Sequence, residues 1–258
     1  MLLTGWCFAA TLQLHLVTSD VLNARLQAGV VPAKDRQRVI RQLFADAGCT
    51  LEDQPVVYQG SANVICTLQG RTPATIVVGS HFDFAERGRG IVDDWSGSSL
   101  LVSLYQTLKD HPPQHTFRFI AFAAEERGLI GSSEYVAQMS PEERQQTRAF
   151  INLECLGLTP PKVWVQRSTP ILLGKLIAVA RSTHIPLEGV DIGGVGDDDT
   201  HSFLSKKIPV ISIHSVTQDT LQVLHSDRDN LRAINMTNYY DAYRLVAFYL
   251  AYLDQQIS

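Results

Sequence analysis

The stretch that decides the fold is Thr75–Gly97, TIVVGSHFDFAERGRGIVDDWSG. It opens on Thr75–Val78, a short β-branched run with the composition of a strand buried on both faces. Gly79-Ser80-His81-Phe82-Asp83 follows directly. Two residues apart on an extended chain, His81 and Asp83 point to the same side. The Asp83 carboxylate can then take the far ring N–H of His81, fixing its tautomer and raising its basicity. Gly90–Gly97 leads into a helix predicted over Ser96–Leu108, where Leu100, Leu101, Leu104 and Leu108 share one side. Buried strand, polar loop and apolar-faced helix form the repeating unit of an α/β sheet.

The same alternation extends outward in both directions. Helices are predicted over Pro32–Ala47, which Gly48 stops, over Ile130–Met139, over Ile171–Arg181, and over Met236–Leu253. Ser140-Pro141-Glu142-Glu143 opens a further helix with a cap and a proline at its first position. Strands are predicted over Phe117–Ala124, Phe150–Leu153, Val163–Val165 and Val210–Ile213. Val56–Tyr58 and Asn63–Leu68 read as a hairpin across Gln59, Gly60 and Ser61. The fold class is therefore α/β: a three-layer sandwich, with a mixed, mostly parallel central sheet and helices on both faces. No repeat or Pro/Gly-rich linker divides the chain, so residues 20–258 read as one domain.

The 258 residues are 45% apolar, enough for a large core, and the net charge of -4 comes without a basic tract, which argues against nucleic acid as a partner. The four cysteines form no CxxC pair. Their reading is as small buried hydrophobes, with Cys49 and Cys66, flanking the predicted hairpin, the one pair able to join. Residues 1–19 carry no Asp, Glu, Lys or Arg. They read as a signal-like segment, favouring a secreted or periplasmic protein. The alternative is an N-terminal helix packed on a cytoplasmic one. No other stretch approaches the ~20 apolar residues that span a bilayer.

Five positions stand at or just beyond the ends of apolar runs: His81, Asp93, Glu126, Glu154 and His225. Open α/β sheets aim their strand ends at one crevice, and histidines and carboxylates converging there are the ligand types of a catalytic zinc site. Asp93 and Asp94 lie at a loop-to-helix junction. There Asp94 reads equally as a first-turn acid, whereas the two oxygens of Asp93 could bridge two metals. Glu125 and Glu126 follow a strand. Adjacent side chains on extended backbone diverge, so one can hold a metal while the other faces a bound water.

Together, the segments His81-Phe82-Asp83, Gly90–Gly97, Glu125-Glu126 and His225-Ser226-Asp227 resemble the co-catalytic two-zinc aminopeptidases of metallopeptidase family M28. The likeness covers most of the chain from about Asp35 onward. It implies two Zn2+ ions, one held by His81, Asp93 and Glu154 and the other by Asp93, Glu126 and His225. It implies Glu125 as general base, Asp83 as the acid behind His81, and a cis peptide after Asp93. The implied activity is hydrolysis of the N-terminal peptide bond of peptide substrates with a free N-terminus.

The chain departs from the family pattern at several positions. Glu154 stands where Asp is more common, Asp94 where Asn is, and Trp95 where a small residue is. Asp197-Asp198-Asp199-Thr200-His201-Ser202-Phe203 shifts the histidine of Ser-Asp-His-x-x-Phe by one, leaving His201 as a pocket-rim residue. Gly193–Gly196 and Asp197–Asp199 are expected to wall the pocket, their acids favouring a positively charged side chain. His214 reads either as pocket-lining or as a satisfied buried histidine. A carboxypeptidase using Arg87, Arg89 or Arg127, a glutaminyl cyclase, and a non-catalytic receptor-like domain are the alternative readings on this scaffold.

Overall fold

The computed structural model describes residues 14–192 and 196–257. Most of the charge-free N-terminal segment, and Gly193-Gly194-Val195 of the expected pocket wall, lie outside those residues. The described chain opens with helices α1 (Ser19–Ala28) and α2 (Ala33–Asp46), then strands β1 (Leu51–Pro55), β2 (Ala62–Leu68) and β3 (Thr75–His81). Helix α3 (Ser96–Leu108), strand β4 (Thr116–Phe122), and helices α4 (Ile130–Gln138) and α5 (Pro141–Gln146) come next. Strands β5 (Thr147–Glu154) and β6 (Lys162–Val163), helix α6 (Pro170–Thr183), strand β7 (Glu188–Gly189), helix α7 (Thr200–Leu204), strand β8 (Val210–His214) and helix α8 (Met236–Gln256) complete it.

The eight strands form one sheet in the order β1-β2-β4-β3-β5-β8-β6-β7. Its centre, β4-β3-β5-β8, is parallel; β2 joins β4, and β6 joins β8, antiparallel. The side-chain period of two divides the core between the faces. Ile76 and Val78 enter a core with α1, α2, α3, α6 and α8, while Val77, Ile120, Phe122 and Phe150 pack on the other face against Tyr135 of α4 and Phe203 of α7. This is the expected sandwich with a mostly parallel centre.

Three expectations are corrected. The first strand of the hairpin is Leu51–Pro55, and Val56–Tyr58 belongs to the connection, where Val56 N–H donates to Ser61 O at 3.0 Å. Strand β1, LEDQP, is a polar edge strand with three of its five residues exposed, so it gives no apolar signal. Helix α1 has no counterpart among the predicted elements; its burial rests on Leu22 and Leu26, and Trp95 clamps it by donating Nε1–H to Arg25 O at 2.9 Å. Cys49 and Cys66 are joined as a disulfide rather than being separate thiols. The register that sets Leu51 opposite Cys66 brings Cys49, two residues upstream, to a Cα–Cα distance of 6.0 Å, within bonding range. Cys155 is the free cysteine among the described residues, and it is buried.

Candidate metal centre

Parallel pairing brings the ends of β3, β4 and β5 together. His81 ends β3 opposite Phe122 of β4, and Glu154 ends β5 two residues beyond Asn152, the partner of Gly79. Glu125 and Glu126 follow β4 in a short helical turn, Asp93 lies on the loop between β3 and α3, and His225 lies on the loop between β8 and α8. All five expected positions, with Glu125 and Asp83, therefore meet at the C-terminal ends of the sheet's central strands. The peptide Asp93–Asp94 is cis.

The donor atoms form two groups that share Asp93. His81 Nε2 is 3.3 Å from Asp93 Oδ1 and 3.5 Å from Glu154 Oε1. On the other side His225 Nε2 is 3.0 Å from Asp93 Oδ2 and 3.2 Å from Glu126 Oε1. Within each group one ligand atom per residue lies within 4.8 Å of the others. Zinc bonds of ~2.0–2.1 Å at a tetrahedral angle separate neighbouring donors by about 3.3 Å. The two sets fit such an ion, and the buried Glu126 Oε1, which has no hydrogen-bond partner, offers a free lone pair to it.

Asp83 does more than face the histidine. His81 Nδ1 lies 3.2 Å from the Asp83 backbone oxygen and 3.5 Å from Oδ1. The same carboxylate accepts the N–H groups of Glu125 at 3.0 Å and Glu126 at 3.2 Å. Asn152 donates Nδ2–H to Glu154 Oε2 at 3.2 Å and also reaches Asp198 Oδ2 at 3.2 Å. The extra methylene of Glu154 thus ends in an oriented carboxylate. Asp94 is fully buried and ties the centre together: its Oδ1 accepts from Gly97 N and Cys155 N, and Ser80 bonds its Oδ2. Sequence reasoning singled out neither Asn152 nor Asp229, and read Asp198 only as an acid of the pocket wall, where it does lie. Asp229, four residues after His225, was visible only as an acid in the same polar turn.

Burial and crowding set the charges. Burial pulls the His81 imidazole down, but Glu125, Asp83, Asp93 and Glu154 outweigh it and hold its pKa well above the usual value. Burial raises Glu125 well above the carboxylate range, partly offset by His81, and also raises Glu154. Burial opposes ionisation of Asp93, yet hydrogen bonds from His225 and His81 hold its pKa low. The carboxylates of Asp93 and Glu126 close to its ring lift His225 to about 10. Burial pushes Asp199 up to about 7. Ala124, Leu129, Cys155 and His225 all have left-handed backbone around these strand ends, with φ of 55°, 58°, 50° and 52°, a conformation that non-glycine residues adopt at a cost and that clusters at functional sites.

The centre opens onto a cavity of about 540 Å³. Besides the acids and His225, its wall is apolar, with Leu129, Trp164, Ile192, Val216, Leu221 and Leu224. The expected acidic wall is largely engaged elsewhere. Asp198 is buried and accepts from Asn152, Ser212 and Thr200; Asp197 pairs with Arg167 and with His201 Nδ1 at 3.1 Å. His201 is therefore held on the outer side of that wall. His214 is a satisfied buried histidine: Nδ1 accepts from Val216 N at 3.1 Å and Nε2 faces Val190 O at 3.1 Å.

The model of peptidase family M28 matches residues 63–250. The chain belongs to peptidase family M28. An aminopeptidase of Pseudomonas aeruginosa is 35% identical over 96 residues, which are 37% of this chain and 18% of that protein. The chain thus spans only a small part of the length of the curated relatives it matches. The zinc aminopeptidase BSAP of Bacillus subtilis superposes with a TM-score of 0.69 at 23% identity, over 78% of this chain and 52% of that one. A glutaminyl cyclase from an Acidobacteriales bacterium superposes with a TM-score of 0.80 at 17% identity, over 98% of this chain and all (100%) of that one. At such identities these two show a shared fold.

Proposed function

We propose that this M28 member is a zinc-dependent aminopeptidase that removes apolar N-terminal residues from peptides. One observation carries the reading: two donor groups sharing Asp93 face a cavity whose remaining wall is largely apolar, and Glu125, which also lines it, belongs to neither group. His81, Asp93 and Glu154 would hold one ion, and Asp93, Glu126 and His225 a second. Zinc, when bound, supplies Lewis acidity, polarising a carbonyl and acidifying water.

The chain's own residues do the rest. Asp83 fixes the His81 ring and the turn that carries Glu125 and Glu126. Glu125, whose Oε2 is 3.7 Å from His81 Nε2, takes the proton of the attacking water and hands it to the leaving amine nitrogen. The ring of carboxylates attracts the α-ammonium group of a peptide N-terminus. Trp164, Ile192, Val216 and Leu221 receive its side chain and exclude water. The B. subtilis zinc aminopeptidase and the Pseudomonas aminopeptidase support the assignment of metal and bond. The completeness of both donor groups favours hydrolysis over cyclisation.

The test is a panel of amino-acid amides and peptides with free and blocked N-termini, one peptide starting with Gln, with and without chelator. Expected is release of apolar N-terminal residues that chelator abolishes and N-blocking prevents. A pyroglutamyl product from the Gln peptide without hydrolysis would assign a cyclase instead. We also propose export from the cytoplasm, supported by the Cys49–Cys66 disulfide and the charge-free residues 1–19. Cytoplasmic retention of the tagged protein would contradict it.

A further inference from the structure

His81 and Glu154 end the neighbouring parallel strands β3 and β5, so their spacing is set by strand register. His225 has no such support. It lies on a loop, its side chain is 58% exposed, and its backbone is left-handed. Yet its Nε2 stands 3.0 Å from Asp93 Oδ2, on a different loop.

Asp229 joins the two loops. It is buried, at 1% exposure, four residues beyond His225. Its Oδ1 accepts Val92 N–H at 2.7 Å, and its Oδ2 faces Asp93 N at 3.4 Å. Its backbone N–H donates to Ser226 O at 2.9 Å, and its carbonyl accepts Arg89 N–H at 2.9 Å. The loops touch so closely that a Cβ on Gly88 would stand 2.6 Å from Ser226 O. From the opposite side the buried Arg36 guanidinium grips the carbonyls of Phe82, Arg89 and Gly90. Arg36 thus holds the Asp93 loop to the domain, and Asp229 holds the His225 loop to the Asp93 loop.

We infer that Asp229 is a positioning residue that sets the His225–Asp93 separation and so the cation affinity of the Asp93, Glu126, His225 group, leaving the His81, Asp93, Glu154 group nearly unaffected. This rests on the two-ion reading above. Groups that orient metal ligands typically contribute ~10–100-fold in affinity. In the His81, Asp93, Glu154 group the sheet keeps His81 and Glu154 fixed, and Arg36 still grips the Asp93 loop, whether or not Asp229 is present.

The experiment is chelator competition on the full chain loaded with Zn2+, together with the visible absorption of the Co2+-substituted protein. In the wild type two ions are released in competition. In Asp229→Ala one ion is expected to be released about 10–100-fold more readily and the other as before, reproducing His225→Ala and removing one component of the Co2+ spectrum. Asp229→Asn keeps an oxygen for Val92 N–H but turns an amide toward Asp93 N–H, so its weaker site should fall between wild type and Asp229→Ala. Should Asp229→Ala not fold, as read by thermal unfolding, Asp229→Asn decides. Both affinities unchanged, or both lost equally, would overturn the inference. A wild type that takes up fewer than two ions would instead remove the two-ion reading, and the inference with it.

Discussion

Asp83 Oδ1 accepts the backbone N–H of Glu125 at 3.0 Å, while the same oxygen stands 3.5 Å from His81 Nδ1. One carboxylate therefore orients a proposed metal ligand and the proposed base. Asp83→Ala frees both at once. It is expected to lower kcat/KM by at least ~10–100-fold. Asp83→Asn, keeping one oxygen acceptor, should lose less. Steady-state kinetics on a leucine amide substrate, with zinc content measured in parallel, check this.

Glu125 is separable from metal binding, because neither donor group uses it. Glu125→Gln keeps shape and hydrogen bonding but removes the proton acceptor. It should retain the zinc content of the wild type and lose ~10²–10⁴-fold in kcat. Metal analysis beside single-turnover kinetics distinguishes this from loss of an ion. Retained turnover would move the base elsewhere.

The side-chain preference follows from the wall of the cavity. Asp197 and Asp198 spend their charge on Arg167, His201, Asn152, Ser212 and Thr200, which leaves the apolar residues to meet the substrate. Leu221→Asp places an unpaired acid among them. Burying an aliphatic side chain is typically worth ~1.5–3 kcal/mol, so kcat/KM for a leucine amide should fall ~10–100-fold. The ratio of lysine to leucine amide turnover should rise. An unchanged ratio would place the side-chain pocket elsewhere.

The periodicities that reach the sequence are those of buried elements. Ser96–Leu108 is a helix over the very residues its leucine spacing indicates, because that face enters the core. Strand β1 and helix α7 were silent: one is a polar edge, the other five residues long. The five proposed ligand positions were legible because their histidines and carboxylates stand at or just beyond the ends of apolar runs. Asn152 and Asp229 were not, and Asp198 was read as a pocket-wall acid without its buried contacts. Each acts through a hydrogen bond to a partner distant in sequence, and Asn and Asp in loops carry no signal of what they will touch. The Cys49–Cys66 pair was named as able to join but read as separate thiols for a related reason: its pairing follows from the β1–β2 register, and β1 itself was missed.

That disulfide closes a separation of 17 residues between the end of α2 and β2. A loop near this size restricts the unfolded chain by about 3 kcal/mol. For a domain of this length, that corresponds to a fall in Tm of ~6–12 °C in the Cys49→Ala/Cys66→Ala double variant. Thermal unfolding with and without reductant is the measurement: reductant should lower the wild-type transition and leave the double variant unmoved.

His214 supplies a pH dependence whose sign is fixed by its environment. Burial, only partly offset by the hydrogen bond to Val190 O, lowers its pKa from 6.5 to about 4. The folded state thus holds it neutral, while the unfolded chain takes up a proton below pH 6.5. Stability from this group is complete above pH 6.5 and is lost as pH falls toward 4. The full loss is about 3 kcal/mol. His81 and His225, whose pKa values are raised, oppose it by stabilising the protonated fold. The measurement is therefore a difference: denaturant unfolding of wild type and His214→Gln from pH 7.5 to 4. The wild type should lose stability relative to the variant across that window, because the glutamine amide keeps a donor and an acceptor for Val190 O and Val216 N but binds no proton. Parallel stability curves would show that His214 is protonated in the fold, contradicting its acceptor role toward Val216.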